Sequence, residues 1–395
     1  MKKILYLSFY FRPDLCAGSF RNSPLLDELG KQAKEKNVSI DVYTTPPQRY
    51  SSFSESFDEI EDIDNVHIER VIIPKHQSGI KDQINSFKVY FTEVNKRIKG
   101  KKYDLVFASS SRLFTAYLGY RIAKKQGVPL YLDIRDIFTD TIEDVIKNPL
   151  VKLGMVPFLK YIEKKVFGSA NHINLISGGF KPYFTSYKQA SYTYFTNGID
   201  DAFISASEKE SEREVNKIKR TVYAGNIGQG QGLHKIVPQA AKLLGNSYEF
   251  LIIGDGGVRK LLEEEITRQG VSNVILKNPV NRKELIEEYI QADYLFIHLN
   301  DYDAFKKVLP SKIFELGVFK KPLIAGVAGY ANDFLKTNLS GTILFAPGDY
   351  QTMVKLMQEK GDVAFDLKGR DVFIDKYNRK KINAGLAESI LSYLD

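Results

Sequence analysis

HLNDYDAFKKVLPSKIFELGVFKKPLIAG, residues His298 to Gly326, is the stretch from which the architecture is read. Leu295 to Leu299 is a short apolar run suited to a buried strand, Pro310 suits the first turn of a helix, and Pro322 to Ala325 opens another strand. The order is therefore strand, loop, helix, strand. In an open α/β sheet such a loop lies at the carboxyl ends of the strands, where ligands bind, and the first helical turn at Pro310, Ser311 and Lys312 is expected to face an anion, with Ser311 and Lys312 supplying the amide N–H groups. Glu315 follows one turn later. A carboxylate there is ill suited to phosphate but well suited to accept hydrogen bonds from sugar hydroxyls. A phosphorylated sugar satisfies both demands.

Outward from that stretch, 395 residues suit two domains, and a hydrophobic content of 43% suffices for packed cores. The net charge of +8 and pI near 9.1 favour anionic partners: nucleotide phosphates or acidic lipid headgroups. No basic recognition helix, zinc-finger spacing or RNA-binding aromatic signature is present, so nucleic acid is not expected as a partner. Cys16 is the single cysteine, which excludes an intrachain disulfide and points to a reducing cytoplasm. Met1 to Phe11 starts like a signal peptide, but Arg12-Pro13-Asp14 ends the run without a small-residue cleavage site, so it reads as a buried first strand. No segment reaches the about 18 to 20 apolar residues of a membrane span, and any membrane contact is expected to be peripheral.

The first half alternates strands and helices. Ile4 to Phe11 is a strand, followed by a loop holding Gly18 and Ser19 between Arg12 and Arg21, then a helix from Asn22 to Lys36. That loop is either a phosphate or acceptor cradle or an ordinary tight turn. Strands are expected at Val38–Thr44, Val66–Ile73, Leu105–Ala108 and Pro129–Ile134, and Tyr50–Asp64 reads as a solvated rim. The rhythm predicts a parallel, doubly wound sheet. Asp133, Arg135 and Asp136 lie at a strand's carboxyl end, placed either for acceptor binding and proton transfer or as an internal ion pair with a helix cap. Between Phe158 and Phe167, Phe158, Ile162 and Val166 share a helical face, with Lys160, Lys164 and Lys165 elsewhere; packing on its own domain is expected, an anionic membrane being the alternative.

The charged stretch Ser205–Lys219 reads as a domain boundary, after which the rhythm restarts. The strand Arg220–Ala224 ends in Gly225-Asn226-Ile227-Gly228-Gln229-Gly230-Gln231-Gly232, and Glu249–Ile253 ends in Gly254-Asp255-Gly256-Gly257 before Arg259. So many glycines expose backbone amides to a diphosphate. Neither loop has the dinucleotide fingerprint, so nicotinamide is not expected. Val280 could line a base pocket, His234 and Lys235 are expected to face solvent, and His172 and His298 read as core or wall residues.

Val222–Leu233, Leu251–Gly257, Leu309–Gly326 and the Asn197-Gly198-Ile199-Asp200 turn together resemble the retaining glycosyltransferases of family 4. Ser109–Phe114 and Leu132–Phe138 are similar to the branch that builds bacterial O-antigen or capsule. The resemblance implies an α/β GT-B fold of two facing Rossmann-like domains: 1–204 for the acceptor, 205–375 for the donor, and a helical tail 376–395 that returns to the first domain. It implies transfer from a nucleotide-diphosphate sugar, expected to be a UDP-sugar, to a glycan or lipid-linked glycan, with retention and no required metal or cofactor, in the cytoplasm or at the inner membrane face.

By that resemblance Glu315 binds the donor ribose, and Gly225, Asn226, Gly228, Gln231, Gly232, Gly254, Asp255, Gly256, Arg259, Val280, Pro310 and Ser311 line the donor site. Gly18, Ser19, Arg21 and Arg135 lie on the acceptor side, with Asp133 and Asp136 handling the acceptor. The chain departs from the pattern at three positions: Lys307 stands where the first glutamate of the family's pair falls, and Asn226 and Gln231 replace the usual Arg and Lys. Lys312 and Lys307 are expected to supply the missing positive charge, with Arg259 as a weaker candidate. Two alternatives follow: a catalytically inactive nucleotide-sugar-binding partner subunit, or a GT-B sugar-nucleotide epimerase.

Overall fold

An unbroken apolar run has no polar face to give to solvent, so it forms a strand covered on both sides. The amino-terminal run does this as β1 (Lys2–Ser8), whose Ile4 to Leu7 are fully buried. The computed structural model describes residues 1–14, 16–47, 56–74, 80–110, 112–145, 148–209, 218–360 and 366–395. Residues 50–55 of the expected rim, 210–217 of the expected boundary, and Ser111 lie outside these.

The chain divides into two compact units, Met1–Asn197 with Lys380–Asp395, and Gly198–Arg379. In the first, β1 is followed by α1 (Ala17–Glu35), β2 (Val38–Thr44), β3 (Ile60–Ile63), β4 (Val66–Arg70), α2 (Ile80–Arg97), β5 (Leu105–Ser110), α3 (Leu113–Gln126) and β6 (Leu130–Ile134). Then come α4 (Phe138–Val145), α5 (Pro149–Phe167), β7 (His172–Leu175), α6 (Lys181–Phe184) and β8 (Ser191–Thr193). The sheet order is β3-β4-β2-β1-β5-β6-β7-β8, parallel except that β3 runs antiparallel to β4. β3 corrects the expectation of a plain rim over Tyr50–Asp64: its acidic, largely exposed side chains give no strand pattern, and backbone pairing with β4 alone makes it one.

The second unit runs α7 (Asp201–Ser207), β9 (Lys219–Ala224), α8 (Val237–Leu244), β10 (Tyr248–Ile253), α9 (Arg259–Gln269), β11 (Val274–Lys277), α10 (Arg282–Gln291) and β12 (Tyr294–His298). It continues through α11 (Lys312–Leu316), β13 (Leu323–Gly326), α12 (Tyr330–Asn338), β14 (Thr342–Phe345), α13 (Tyr350–Lys360) and α14 (Arg370–Lys376). Its sheet is fully parallel, β11-β10-β9-β12-β13-β14. The final helix, α15 (Arg379–Leu391), returns to the first unit, where Leu386, Ala387, Ile390 and Leu391 pack with Ile4, Tyr6 and Leu25 in one core.

Both strand orders reverse direction at one point. In the first unit the reversal falls between β1 and β5, in the second between β9 and β12. Chain connections leave such a point to opposite sides, which opens a crevice beyond the carboxyl ends of the strands. Among the described residues no helix is long and apolar enough to cross a membrane.

Candidate active site

At the β9–β12 reversal of the second unit, two glycine loops lie backbone against backbone. Gly225 N–H donates to Ile253 O at 2.9 Å and Ile227 N–H to Asp255 O at 2.8 Å. A Cβ at Gly254 would stand 1.8 Å from the Gly225 carbonyl oxygen, so any side chain there would push the loops apart. Asn226 and Gln231, at the positions of the expected cations, are joined by a 2.9 Å hydrogen bond from Asn226 Nδ2 to Gln231 Oε1. A Cβ at Gly228 would collide with both side chains. The loop is thus closed by neutral amides.

His298, at the end of β12, holds the loop from beneath. Its Nε2 accepts from the Gly348 N–H at 2.9 Å, so Nδ1 carries the proton and donates to Gln231 O at 2.6 Å. Burial lowers its pKa to about 4, and the ring is neutral in use. Asn300 donates from its backbone to Gly230 O at 2.8 Å and from its side chain to Gln229 O. His298 is therefore the wall residue expected of it. His234, by contrast, is buried rather than solvent-facing, because the turn Leu233–Lys235 folds into the core.

Lys312 and Glu315 come together beside this loop. Lys312 Nζ lies 3.6 Å from Glu315 Oε2, and a Cβ on Gly225 would be 2.7 Å from Lys312 Cε. Burial alone would lower the lysine pKa, but Tyr289, Glu315 and Tyr223 outweigh it and raise it above the ordinary lysine value. Tyr289 is itself buried, its phenol pushed up to about 12 by desolvation. Tyr223 donates to Asn226 O at 2.7 Å. The site thus holds a permanent cation between a carboxylate and two tyrosines. Neither tyrosine stands out in the sequence, since each sits in an ordinary strand or helix pattern and meets Lys312 only through the fold.

One expectation is corrected. The helix after Pro310 spans only Lys312–Leu316, with Ser311 making no side-chain cap, and Gly317 follows it at once. A single turn sums too few peptide dipoles to form an anion site. Charge at this point comes from the Lys312 side chain. Arg259 is not free for a ligand either: its Nη1 donates to Gly254 O and to Lys277 O at 3.1 Å, and its Nε to Glu263 at 3.1 Å, so it pins the second glycine loop. Asp255 is exposed and accepts the Gly256 N–H; Val280, Pro310 and Ser311 are half-buried around the crevice, and Lys307 ends the turn Phe305–Lys307.

In the first unit, the β1–β5 reversal carries a buried polar network. Arg21 donates to both oxygens of Asp133, at 2.8 and 2.7 Å, and to the carbonyls of Phe195 and Thr196. Asn174 and Ser109 complete the shell of Asp133 at 2.8 and 3.0 Å. Asp133 and Arg21 are therefore engaged within the unit, the internal ion pair that was one of the two sequence readings. Arg135 is different. Its Nε is buried without a hydrogen bond, its guanidinium makes no ion-pair contact among the described residues, and burial pushes its pKa down. It lies over Gly18, where a Cβ would be 3.0 Å from Nη1, at the start of α1 beside the buried Ser19. Asp136, next to it, has its pKa raised to about 6 by burial, with Thr141 Oγ1 donating at 3.3 Å.

Two parallel-sheet units, each with polar loops at its strand reversal, define a GT-B glycosyltransferase fold. Sucrose-phosphate synthase from Thermosynechococcus elongatus shares it with a TM-score of 0.76 at 12% identity, covering 100% of this chain and 99% of that one. Anabaena HepE, solved in complex with UDP and glucose, shares it at 0.68 and 16% identity, covering 99% of this chain and 100% of that one. Residues 205–359, within the second unit, match the family model of glycosyl transferases group 1, which together with the fold supports a glycosyltransferase. Over 412 aligned residues the chain is 23% identical to the Escherichia coli (strain K12) protein named "Putative colanic acid biosynthesis glycosyl transferase WcaI", covering 98% of this chain and 92% of that protein.

Proposed function

We propose that the protein transfers a sugar from a nucleotide-diphosphate sugar, a UDP-sugar, to a glycan or lipid-linked acceptor with retention of configuration, in cell-surface polysaccharide synthesis, in the cytoplasm at the inner membrane face. The observation that carries this reading is the Lys312–Glu315 pair beside Gly225. Negative charge grows on the nucleotide diphosphate as its bond to the sugar breaks, and a fixed cation in a desolvated site stabilises it. Glu315 accepts hydrogen bonds from the donor's ribose hydroxyls. The complexes of HepE with UDP and UDP-glucose support the choice of base, and the colanic acid name of the Escherichia coli relative supports the polysaccharide setting. The chemistry needs no metal, because the lysine supplies the countercharge.

On the acceptor side, Arg135 would take an anionic group of the acceptor, which would engage its buried Nε, and Asp136 would accept a hydrogen bond from the attacking hydroxyl. Only the Asp136 carboxylate can do so, and it forms as pH rises through about 6. Transfer rate therefore falls as pH drops below that value, and Asp136→Asn removes this limb while lowering the plateau. Initial rates across the acid side of neutrality check this; a wild-type profile flat there would oppose it.

The reading as a whole is tested by thermal melting with UDP, GDP, ADP and TDP and their sugars. At a concentration about 100-fold above Kd, one nucleotide family raises Tm by about 5 to 10 °C. Glu315→Ala loses the shift. If no nucleotide moves the wild type, the donor site is wrongly assigned. The hydrogen-bonded Asn226–Gln231 pair, neutral where two cations are usual, favours a second reading as an inactive partner subunit. Nucleotide binding without turnover, with or without acceptor, would select it, whereas isomerised donor formed without acceptor would select an epimerase.

A further inference from the structure

The side of α5 that faces solvent is the wrong one for a free surface. Asn148 caps this helix by accepting from the Leu150 and Val151 amides, and Pro149 occupies its first turn. Its inner face, Val156, Leu159, Ile162, Val166 and Phe167, is buried, so the membrane-type face read from the sequence through Ile162 and Val166 belongs to the core. The opposite side carries Leu150, Leu153, Phe158 and Tyr161, which are 78, 75, 56 and 60% exposed. Spacings of three, five and three along the helix set these four on one side of it. Large apolar side chains left in water to this extent, next to one another, mark an interaction surface.

The charges around them indicate what covers it. Lys160, Lys164 and Lys165 are exposed at the carboxyl-terminal end of the same side, with Lys165 Nζ 5.5 Å from the Tyr161 ring centroid. Lys152 lies near the other end, and α5 has one acid, Glu163, buried against Thr139 and Tyr183. Glu143 reaches Lys152 and Lys160 only at 3.8 and 3.7 Å. Protein interfaces are depleted in lysine, whereas a helix lying in a bilayer surface combines leucines and aromatics with lysines whose stems reach the headgroups.

We propose that α5 docks the protein on an anionic bilayer, with Leu150, Leu153, Phe158 and Tyr161 entering the headgroup boundary and Lys160, Lys164 and Lys165 meeting acidic headgroups. It deepens the reading above, resting on it only for the use of the docked state, namely presenting the enzyme to a lipid-linked acceptor.

The test is cosedimentation of the full chain with vesicles of phosphatidylcholine alone or mixed with phosphatidylglycerol. Binding to the mixed vesicles and little to the neutral ones is expected. The triple variant Leu150→Ser/Leu153→Ser/Phe158→Ser binds about tenfold or more weakly, and Lys160→Gln/Lys164→Gln/Lys165→Gln loses roughly fivefold per lysine. All six positions are exposed, so melting temperature and nucleotide response stay at wild-type levels; Leu243→Ser, an exposed leucine of the second unit, leaves vesicle binding unchanged. Equal binding by wild type and both triple variants, or none by the wild type, overturns the proposal. So does a wild-type dimer in sedimentation velocity that becomes monomeric in the apolar variant, which would assign the face to a second copy. Vesicle binding that follows these expectations while no sugar is transferred would leave the docking surface standing and remove the transferase reading.

Discussion

Lys312→Met is expected to lower kcat by about 100- to 1000-fold, the loss of one preorganised charge at a leaving group. Methionine keeps the apolar stem that packs against Gly225 and removes the ammonium. The same substitution leaves Glu315 without its 3.6 Å partner in a largely buried position, so some stability is lost as well. Chemistry and folding separate in the double variant Lys312→Met/Glu315→Gln, in which no charge is stranded: melting temperature recovers and turnover does not. Glu315→Gln alone raises the donor KM more than it lowers kcat, since its contacts are with the bound nucleotide in ground and transition states alike. Lys307→Ala is the control for the other candidate cation. If Lys312→Met and Lys307→Ala both stay within about threefold of wild-type turnover, the countercharge has been wrongly assigned.

Asp133→Asn is expected to destabilise the first unit by about 3–5 kcal/mol, since it strands the Arg21 guanidinium in the core. Denaturant melting of the variant checks this. Burial by itself would raise the Asp133 pKa, but Arg21, with help from Asn174, holds it below its ordinary value of 3.8. The folded form therefore binds its proton less readily than the unfolded chain does. The pair's contribution is fully present above about pH 4 and is lost as pH falls through the depressed native value. Acid melting of the wild type shows this loss and Asp133→Asn does not. Replacing both partners, Arg21→Met/Asp133→Leu, costs much less than the single substitution, because no charge is left unpaired. A single variant as stable as wild type would return Asp133 to the list of groups available to an acceptor.

Much of the architecture was legible residue by residue. The apolar run of β1 and the βα rhythm on both sides of the charged stretch predict parallel sheets, and the glycine-rich runs after β9 and β10 mark their ligand-facing ends. β3 was not legible, because nothing in IEDI distinguishes a paired edge from a loop until β4 is beside it. Nor was the length of α11, a single turn followed by Gly317, where any Cβ would collide with Phe373, more than fifty residues away. On α5, apolar residues occur all round the helix, so periodicity gives no reason to prefer the buried side over the exposed one.

The sequence by itself determined most of the element types, the parallel strands of the two sheets and the residue types at the site, because hydrophobic period and glycine content act over a few neighbouring residues. Tertiary structure alone decided what each charged side chain does. Arg21 and Asp133 meet across 112 residues, Lys312 is set against Tyr223 and Tyr289 by three different elements, and Arg135 lies against Gly18 with no ion-pair contact among the described residues. A charge acquires its role from what stands within a few ångströms of it and from how much water is excluded there, and both are properties of the packed chain.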